Sequence, residues 1–409
     1  MLICISVGFA SGLPLYLLLN MLPAWLDSAG INIKTISAFT LTQTPYVWKF
    51  LWAPLVDRFG VQGFGRRRSW MLATQVTLIA IIAVTGQVSP AENIWLAAGL
   101  LTLLGFVSAT QDIAIDAYRR EILPEEELGI GNSMYVNAYR IAGLVPGALA
   151  LILADKLPWP LVFVIVAAFL LPAVVTTFLI EEPAVLTQPR TIRQAVVEPF
   201  REFVGRAGVQ GALLVLAFMF LYKLGDAMCT ANATLFYLKM GFIKTEIGLV
   251  AKNAGLWGQV GGALLGGIWM VRLGINRALW AFGVVQMVSI LGFAWLAWIG
   301  PAESSPERLV ALAVVIGFEA IGVGLGTAAF VAFISRTTNP AYTATQYALF
   351  SSLASVPRSV VSAYTGKIIE TIGWLNFFFL CTVLALPGML LLFKVAPWRS
   401  DQAPVKQHV

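Results

Sequence analysis

Val56-Asp57-Arg58-Phe59-Gly60-Val61-Gln62-Gly63-Phe64-Gly65-Arg66-Arg67-Arg68 joins two long apolar runs, near 35–56 and 69–88. Its glycines let the chain turn tightly, and arginines beside an apolar run hold a loop on the cytoplasmic side of a membrane. The segment therefore reads as a short cytoplasmic turn between consecutive membrane crossings. Working outward, apolar stretches near 1–24, 94–118, 130–154 and 159–180 complete a first set of six. A second set follows near 209–238, 246–270, 277–299, 308–335, 345–369 and 374–395. The run from Met1 lacks a basic leader and a small-residue cleavage site, so it reads as a crossing and not as a signal peptide.

Composition agrees. Of 409 residues, 58% are hydrophobic and 12% charged, against about 45–50% and about 25% in a soluble domain. At roughly 20 residues per crossing, twelve helices consume most of the chain and leave no room for a soluble catalytic domain. The net charge of +6 belongs to membrane topology and not to nucleic-acid binding. Cys4, Cys229 and Cys381 all lie in apolar runs and the single histidine, His408, is in the polar tail. Disulfide frameworks, thiol catalysis and histidine metal sites are thereby excluded, and neither a metal nor a cofactor is expected. There is no HExxH, and Gly366-Lys367-Ile368 is not a phosphate-binding loop. The chain is not expected to be an enzyme.

Of the 27 basic residues, sixteen fall on the side of the 57–68 turn, in its loops, in the C-terminal tail and at Lys394 just before it, and six in the opposite loops. This bias places both termini of a multi-pass membrane protein in the cytoplasm. The segment 181–208, with Glu181, Glu182, Arg190, Arg193, Glu198, Arg201, Glu202 and Arg206, is a cytoplasmic connector with an amphipathic second part. It divides a bundle at 1–180 from one at 209–395, leaving a cytoplasmic tail at 396–409. The halves resemble each other: Gly30-Ile31-Asn32-Ile33-Lys34-Thr35 returns as Gly241-Phe242-Ile243-Lys244-Thr245, and Val56-Asp57-Arg58-Phe59-Gly60 as Met270-Val271-Arg272-Leu273-Gly274. The expected fold is all-α, with twelve transmembrane helices in two six-helix halves, the architecture of a major-facilitator transporter with its site between the halves. In that setting Asp57, Arg58, Gly60, Arg66, Arg67 and Arg68 resemble the superfamily's loop signature and read as a conformational latch. The competing reading of the three consecutive arginines is topological anchoring.

Ionisable residues inside crossings cost at least roughly 2.5–3.5 kcal/mol to insert and mark cavities by default. Here they are Lys49, Asp112, Asp116, Arg140, Lys223, Asp226, Lys252, Glu319 and Arg358. Asp116 and Lys252 lie near helix ends, where an interfacial position is an equal reading. Asp112 and Asp116 are four apart and share a helix face, with Gln111 beside the first. Two neighbouring buried carboxylates raise each other's proton affinity. Asn137 and Arg140 share a face of the next crossing, which places Arg140 within reach of Asp112. Asp112 is therefore expected to respond to protons with Arg140 as partner, Asp116, Asp226 and Glu319 being further proton-coupling candidates; the alternative is a permanent structural ion pair. Lys49 and Trp52 share a face of the second crossing, with Gln43 nearly two turns away. A cation, an aromatic and an amide suit an anionic substrate that carries sugar. The substrate-binding candidates are Gln43, Lys49, Trp52, Gln111, Asn137, Arg140, Lys223, Trp257 and Arg358, with lipid contact or packing as the competing reading of Trp257.

Four runs resemble one family: Ser11-Gly12-Leu13-Pro14-Leu15-Tyr16, Pro45-Tyr46-Val47-Trp48-Lys49-Phe50-Leu51-Trp52-Ala53-Pro54, Gln111-Asp112-Ile113-Ala114-Ile115-Asp116-Ala117-Tyr118 and Asn137-Ala138-Tyr139-Arg140-Ile141-Ala142-Gly143. They are similar to the AmpG-type muropeptide permeases, relatives of the acetyl-coenzyme A transporters, densely over the first 182 residues and diffusely afterwards. The resemblance implies proton-driven import of N-acetylglucosaminyl-anhydro-N-acetylmuramyl peptides for peptidoglycan recycling, and a link to β-lactamase induction. Some family members have fourteen crossings, against twelve read here. The expected partners are an anionic glycopeptide, protons and the bilayer, and the chain is expected to act as a monomer. A drug or metabolite exporter or an acetyl-coenzyme A transporter is the alternative on the same scaffold. A membrane-embedded cell-wall enzyme is the third reading, and no residue constellation supports it.

Overall fold

In hydrocarbon every backbone N–H and C=O must bond inside the chain, so the long apolar runs have helices open to them and little else. The computed structural model describes residues 1–61, 63–183, 191–359 and 361–398. Residues 184–190 of the expected connector and 399–409 of the expected tail, His408 included, lie outside them. The helices are α1 (Leu2–Ser28), α2 (33–58, in pieces), α3 (Arg66–Thr85), α4 (Ile94–Ile122), α5 (Glu125–Ala154) and α6 (Trp159–Leu179). The remainder are α7 (Arg193–Lys239), α8 (Ile247–Ile299), α9 (Pro306–Thr337), α10 (Thr343–Ser359) and α11 (Thr365–Val395). Among the described residues the one β-type pairing is a bridge between Val61 and Gly65 in the loop before α3.

Among the described residues nine of these helices are long and apolar enough to cross a membrane, against the twelve crossings the sequence suggests. The difference has local causes. α2 is no single helix: prolines lack the N–H that the helical ladder needs, and Pro45 and Pro54 each begin a new piece, Thr44–Trp48 and Ala53–Arg58. Tight 3-10 turns at Phe39–Gln43 and Lys49–Leu51 fill the gaps. α10 has 17 residues. α8 runs through Gly274, whose φ of 75° and ψ of 166° are not helical, so it comprises two helices meeting at that residue; only glycine takes this conformation without strain.

By packing, the chain forms two units. The first holds Met1–Pro124, Met134–Glu202 and Thr338–Ser352; the second holds Glu125–Ser133, Phe203–Thr337 and Leu353–Val409. The division differs from the sequence division in two segments, since the start of α5 packs in the second unit and the start of α10 in the first. The first unit's core gathers Leu13, Leu17, Trp25, Leu78, Leu104 and Phe163 from α1, α3, α4 and α6. α1 and α5 meet so closely that a Cβ on Gly12 would collide with the Tyr139 carbonyl. Wider π turns interrupt both helices, at Leu17–Met21 and Val145–Leu149. The second unit's core is aromatic, with the Phe236 and Phe378 rings in contact with each other and each with Phe293 and Trp374, and the glycine-rich face of α8 meets α9 at Gly262 and Ile321.

Candidate functional site

The break in α2 sets the geometry of the first unit's buried charge. Lys49 occupies the 3-10 turn between the two proline-headed pieces, and its Nζ lies 3.7 Å from Asp112 Oδ2 and 3.6 Å from Asp116 Oδ2 on α4. Ser11 of α1 donates to Asp112 Oδ1 and shares a 2.8 Å hydrogen bond with the Tyr135 hydroxyl of α5. One turn beyond Asp116, Arg119 donates to Asp116 Oδ1 at 2.9 Å and to the Tyr347 hydroxyl at 2.6 Å, and its guanidinium carbon lies 3.6 Å from the Tyr135 ring centroid. Two carboxylates and two cations are thus buried together, each less than a tenth exposed. Their formal charges cancel, which is how four charges persist in so dry a place.

Around them the walls are aromatic. Tyr46 donates to Ser108 at 2.7 Å, Trp52 Nε1 donates to Thr110 Oγ1 at 3.0 Å, and Trp52 lies against Phe106. Tyr16 and Tyr139 contact edge to face. Gln111 and Asn137 are fully or almost fully buried, and neither amide atom of either side chain has a hydrogen-bond partner among the described residues. Buried amides are nearly always satisfied, so such a pair marks places for water or for a ligand's polar groups.

The expected pairing of Asp112 with Arg140 is corrected: Asp112 pairs with Lys49 and Ser11, and Arg140 is half-buried on α5. Helical spacing could not foresee that the Pro45 and Pro54 breaks turn Lys49 toward α4. Lys49, expected as a substrate cation, is held by two carboxylates, and Asp116 is a buried member of the cluster and not an interfacial residue. Gln43 ends a 3-10 turn and is half-buried.

A second cluster forms at the loop quoted at the outset. Asp57 is fully buried; its carboxylate pairs with Arg67 at 2.8 Å and accepts from the Ala344 and Thr345 backbone N–H groups, at 3.1 and 2.8 Å, and from the Thr345 hydroxyl at 2.7 Å. Arg67 also pairs with Glu121 at 2.6 Å and donates to Val56 O and to Thr343 Oγ1, which in turn donates to Glu121. Arg66 bonds the Asp57 carbonyl and Glu121. Arg68 donates to the Thr177 and Phe178 carbonyls, while Glu182 accepts from the first N–H groups of α3, those of Arg67 and Arg68. Arg58 lies over the Phe59 ring, and Gly60 faces the Arg66 backbone with no room for a side chain. Behind this cluster Tyr342 donates to Glu198 at 2.9 Å and Gln346 to Glu202 at 2.6 Å. Burial and the Glu198 carboxylate push the Tyr342 phenol up to about 12, so it remains a donor at neutral pH.

In the second unit Lys223 meets Asp226 at 3.1 Å and donates to Thr327 at 3.1 Å. A small pocket beside Asp226 is lined by Tyr222, Gln286, Met287 and Met389. Glu319 is buried on α9, whereas Trp257 and Arg358 are exposed. Sequence reading missed Ser11, Arg119, Glu121, Tyr135, Glu182, Thr343, Thr345 and Tyr347. For Arg119 a signal existed, since it stands three residues after Asp116, but counting it as a loop charge hid it.

Comparison with known proteins agrees with this architecture. Residues 4–362 match the Major Facilitator Superfamily. An uncharacterized protein of Haemophilus influenzae is 48% identical over 98% of this chain and 95% of its own length. The anhydromuropeptide permease of Escherichia coli is 42% identical over 95% of this chain and 78% of its own length. Among solved structures, the Escherichia coli fucose:proton symporter superposes with a TM-score of 0.72 over 98% of each chain at 13% identity, a likeness of fold alone. The chain is therefore a multi-pass membrane transporter of the Major Facilitator Superfamily and belongs to the same permease family as the Escherichia coli protein.

Proposed function

We propose that this transporter imports anhydromuropeptides from periplasm to cytoplasm by proton symport, from an inner membrane in which both termini are cytoplasmic. The observation that carries the reading is the pair Asp112 and Asp116 facing one buried lysine, with the unpartnered amide of Gln111 on the residue before Asp112. The identity with a permease of that substrate supports the choice of cargo. Amides and stacked aromatics suit the sugar hydroxyls and faces of such a substrate. For its carboxylates the candidate cation of the first unit is Arg140, and those of the second unit are Lys223 and Arg358. The Lys49 cluster is electrically neutral with both carboxylates ionised, so an added proton leaves it with one buried positive charge. An anionic substrate entering nearby offsets that charge, which is the condition for proton and substrate to move together. Asp226 beside Lys223 is the corresponding candidate in the second unit, with Glu319 next.

The Asp57 cluster serves in this reading as the latch that holds the start of α10, and it opens once per cycle. The protein works as a monomer. Uptake of labelled anhydromuropeptide into vesicles, with and without an imposed pH gradient, tests the proposal. Accumulation above the outside concentration that requires the gradient is expected; well-inserted protein that moves none of this substrate would remove the assignment.

A further inference from the structure

The carboxylates and the start of α10 share one side chain. Arg119 bonds Asp116 Oδ1 on its own helix and the Tyr347 hydroxyl with the same nitrogen, Nη2, at 2.9 and 2.6 Å. Its flat face covers Tyr135 at 3.6 Å, and Tyr135 reaches Ser11, which reaches Asp112. The contacts close a ring: Asp112, Ser11, Tyr135, Arg119, Asp116, Lys49 and back to Asp112. Tyr347 is the ring's exit, on a helix start that Asp57 also grips through Ala344 and Thr345. Arg119 is 1% exposed, so its charge is tolerated there because of the carboxylate it faces.

We infer that Arg119 is the positioning residue that converts protonation of the Asp112–Asp116 pair into release of α10, through its bond to Tyr347. The inference rests on the proton-coupled reading above. A proton taken from water on the side of higher proton activity adds to a carboxylate oxygen of Asp116. The guanidinium then loses its counter-charge in a dry site and must turn toward water or another anion. Tyr347 loses its donor as it turns. Arg119 suits the task better than lysine would, because a planar fork can hold two acceptors and a ring face at once. The titratable and charged groups facing this centre are Lys49 and Tyr46 from α2, Tyr135 and Tyr139 from α5, Tyr347 from α10 and Cys4 from α1. Of these, Lys49 is the group that competes with Arg119 for Asp116.

The test uses no substrate, so it can fail independently of the cargo assignment. Ala344 is fully buried beside Asp57; an Ala344→Cys reporter in the full-length protein in vesicles is labelled with a maleimide at one fixed pH. Asp116→Asn, which stands for the protonated carboxylate, is expected to speed labelling by about tenfold, the ratio that one hydrogen bond to a charged group carries. Tyr347→Phe is expected to do nearly the same, and the double variant no more than either alone. Arg119→Lys should restore part of the protection that Arg119→Gln loses, and Ala348→Cys supplies a second buried reporter. Unchanged labelling in Asp116→Asn, or effects of the two substitutions that multiply as if independent, would overturn the inference.

Discussion

The first unit contains two buried clusters of charge that the same sequence builds to opposite standards. Around Asp57 and Arg67 both carboxylate oxygens are used, the ion pairs are 2.6 and 2.8 Å, and backbone N–H groups complete the shell. Around Lys49 the contacts to Asp112 and Asp116 are 3.7 and 3.6 Å, and the buried amide of Gln111, the residue before Asp112, has no hydrogen-bond partner among the described residues. A saturated cluster gains nothing from another proton or ligand and loses much if one member goes. An unsaturated, neutral cluster is poised to accept both. The difference teaches which charges hold a conformation and which respond to transported species.

The largest effect that would break this comparison is on the saturated side. Asp57→Ala leaves Arg67 buried without its partner, and apparent stability in detergent should fall by about 3–5 kcal/mol, read as thermal aggregation of the solubilised protein. If Asp57→Ala is as stable as the parent, the cluster is not saturated in the sense argued. Next, Asp112→Asn should keep the Ser11 contact and the fold but lose gradient-driven accumulation, leaving downhill movement. Vesicle uptake with and without a protonophore measures it. Asn137→Leu sharpens the contrast: it removes an orphan amide at nearly constant shape, so stability should hold or rise by up to about 1 kcal/mol, while half-saturation of uptake moves to higher substrate concentration. Smallest is Glu182→Gln, which weakens the anionic cap on the first turn of α3 by about 0.5–1 kcal/mol, seen as a slight shift in the thermal midpoint with uptake unchanged.

How much of this the sequence disclosed follows from the range of each interaction. The helical fold class was legible because apolar runs in a membrane have one way to satisfy their backbone, and the Asp57 to Arg68 loop was legible because its residues are contiguous. Asp112, Asp116, Gln111 and Asn137 were found by helical spacing alone. What hid was everything set by a break or by a distant segment. Pro45 and Pro54 were visible, but no periodicity tells which way a 3-10 turn aims Lys49, so the lysine's partners were missed and Arg140 was chosen for Asp112. Thr343, Thr345 and Tyr347 carry no charge and lie more than 200 residues from the groups they bond, beyond any local pattern.

The most direct measurement of the central claim is proton movement that accompanies anhydromuropeptide entry into proteoliposomes holding a pH-sensitive dye, for the parent, Asp112→Asn and Asp57→Asn. Proton influx with substrate is expected in the parent, substrate entry without proton influx in Asp112→Asn, and a proportionate fall of both fluxes in Asp57→Asn. An Asp112→Asn protein that still carries protons at the parent's ratio to substrate would contradict that claim.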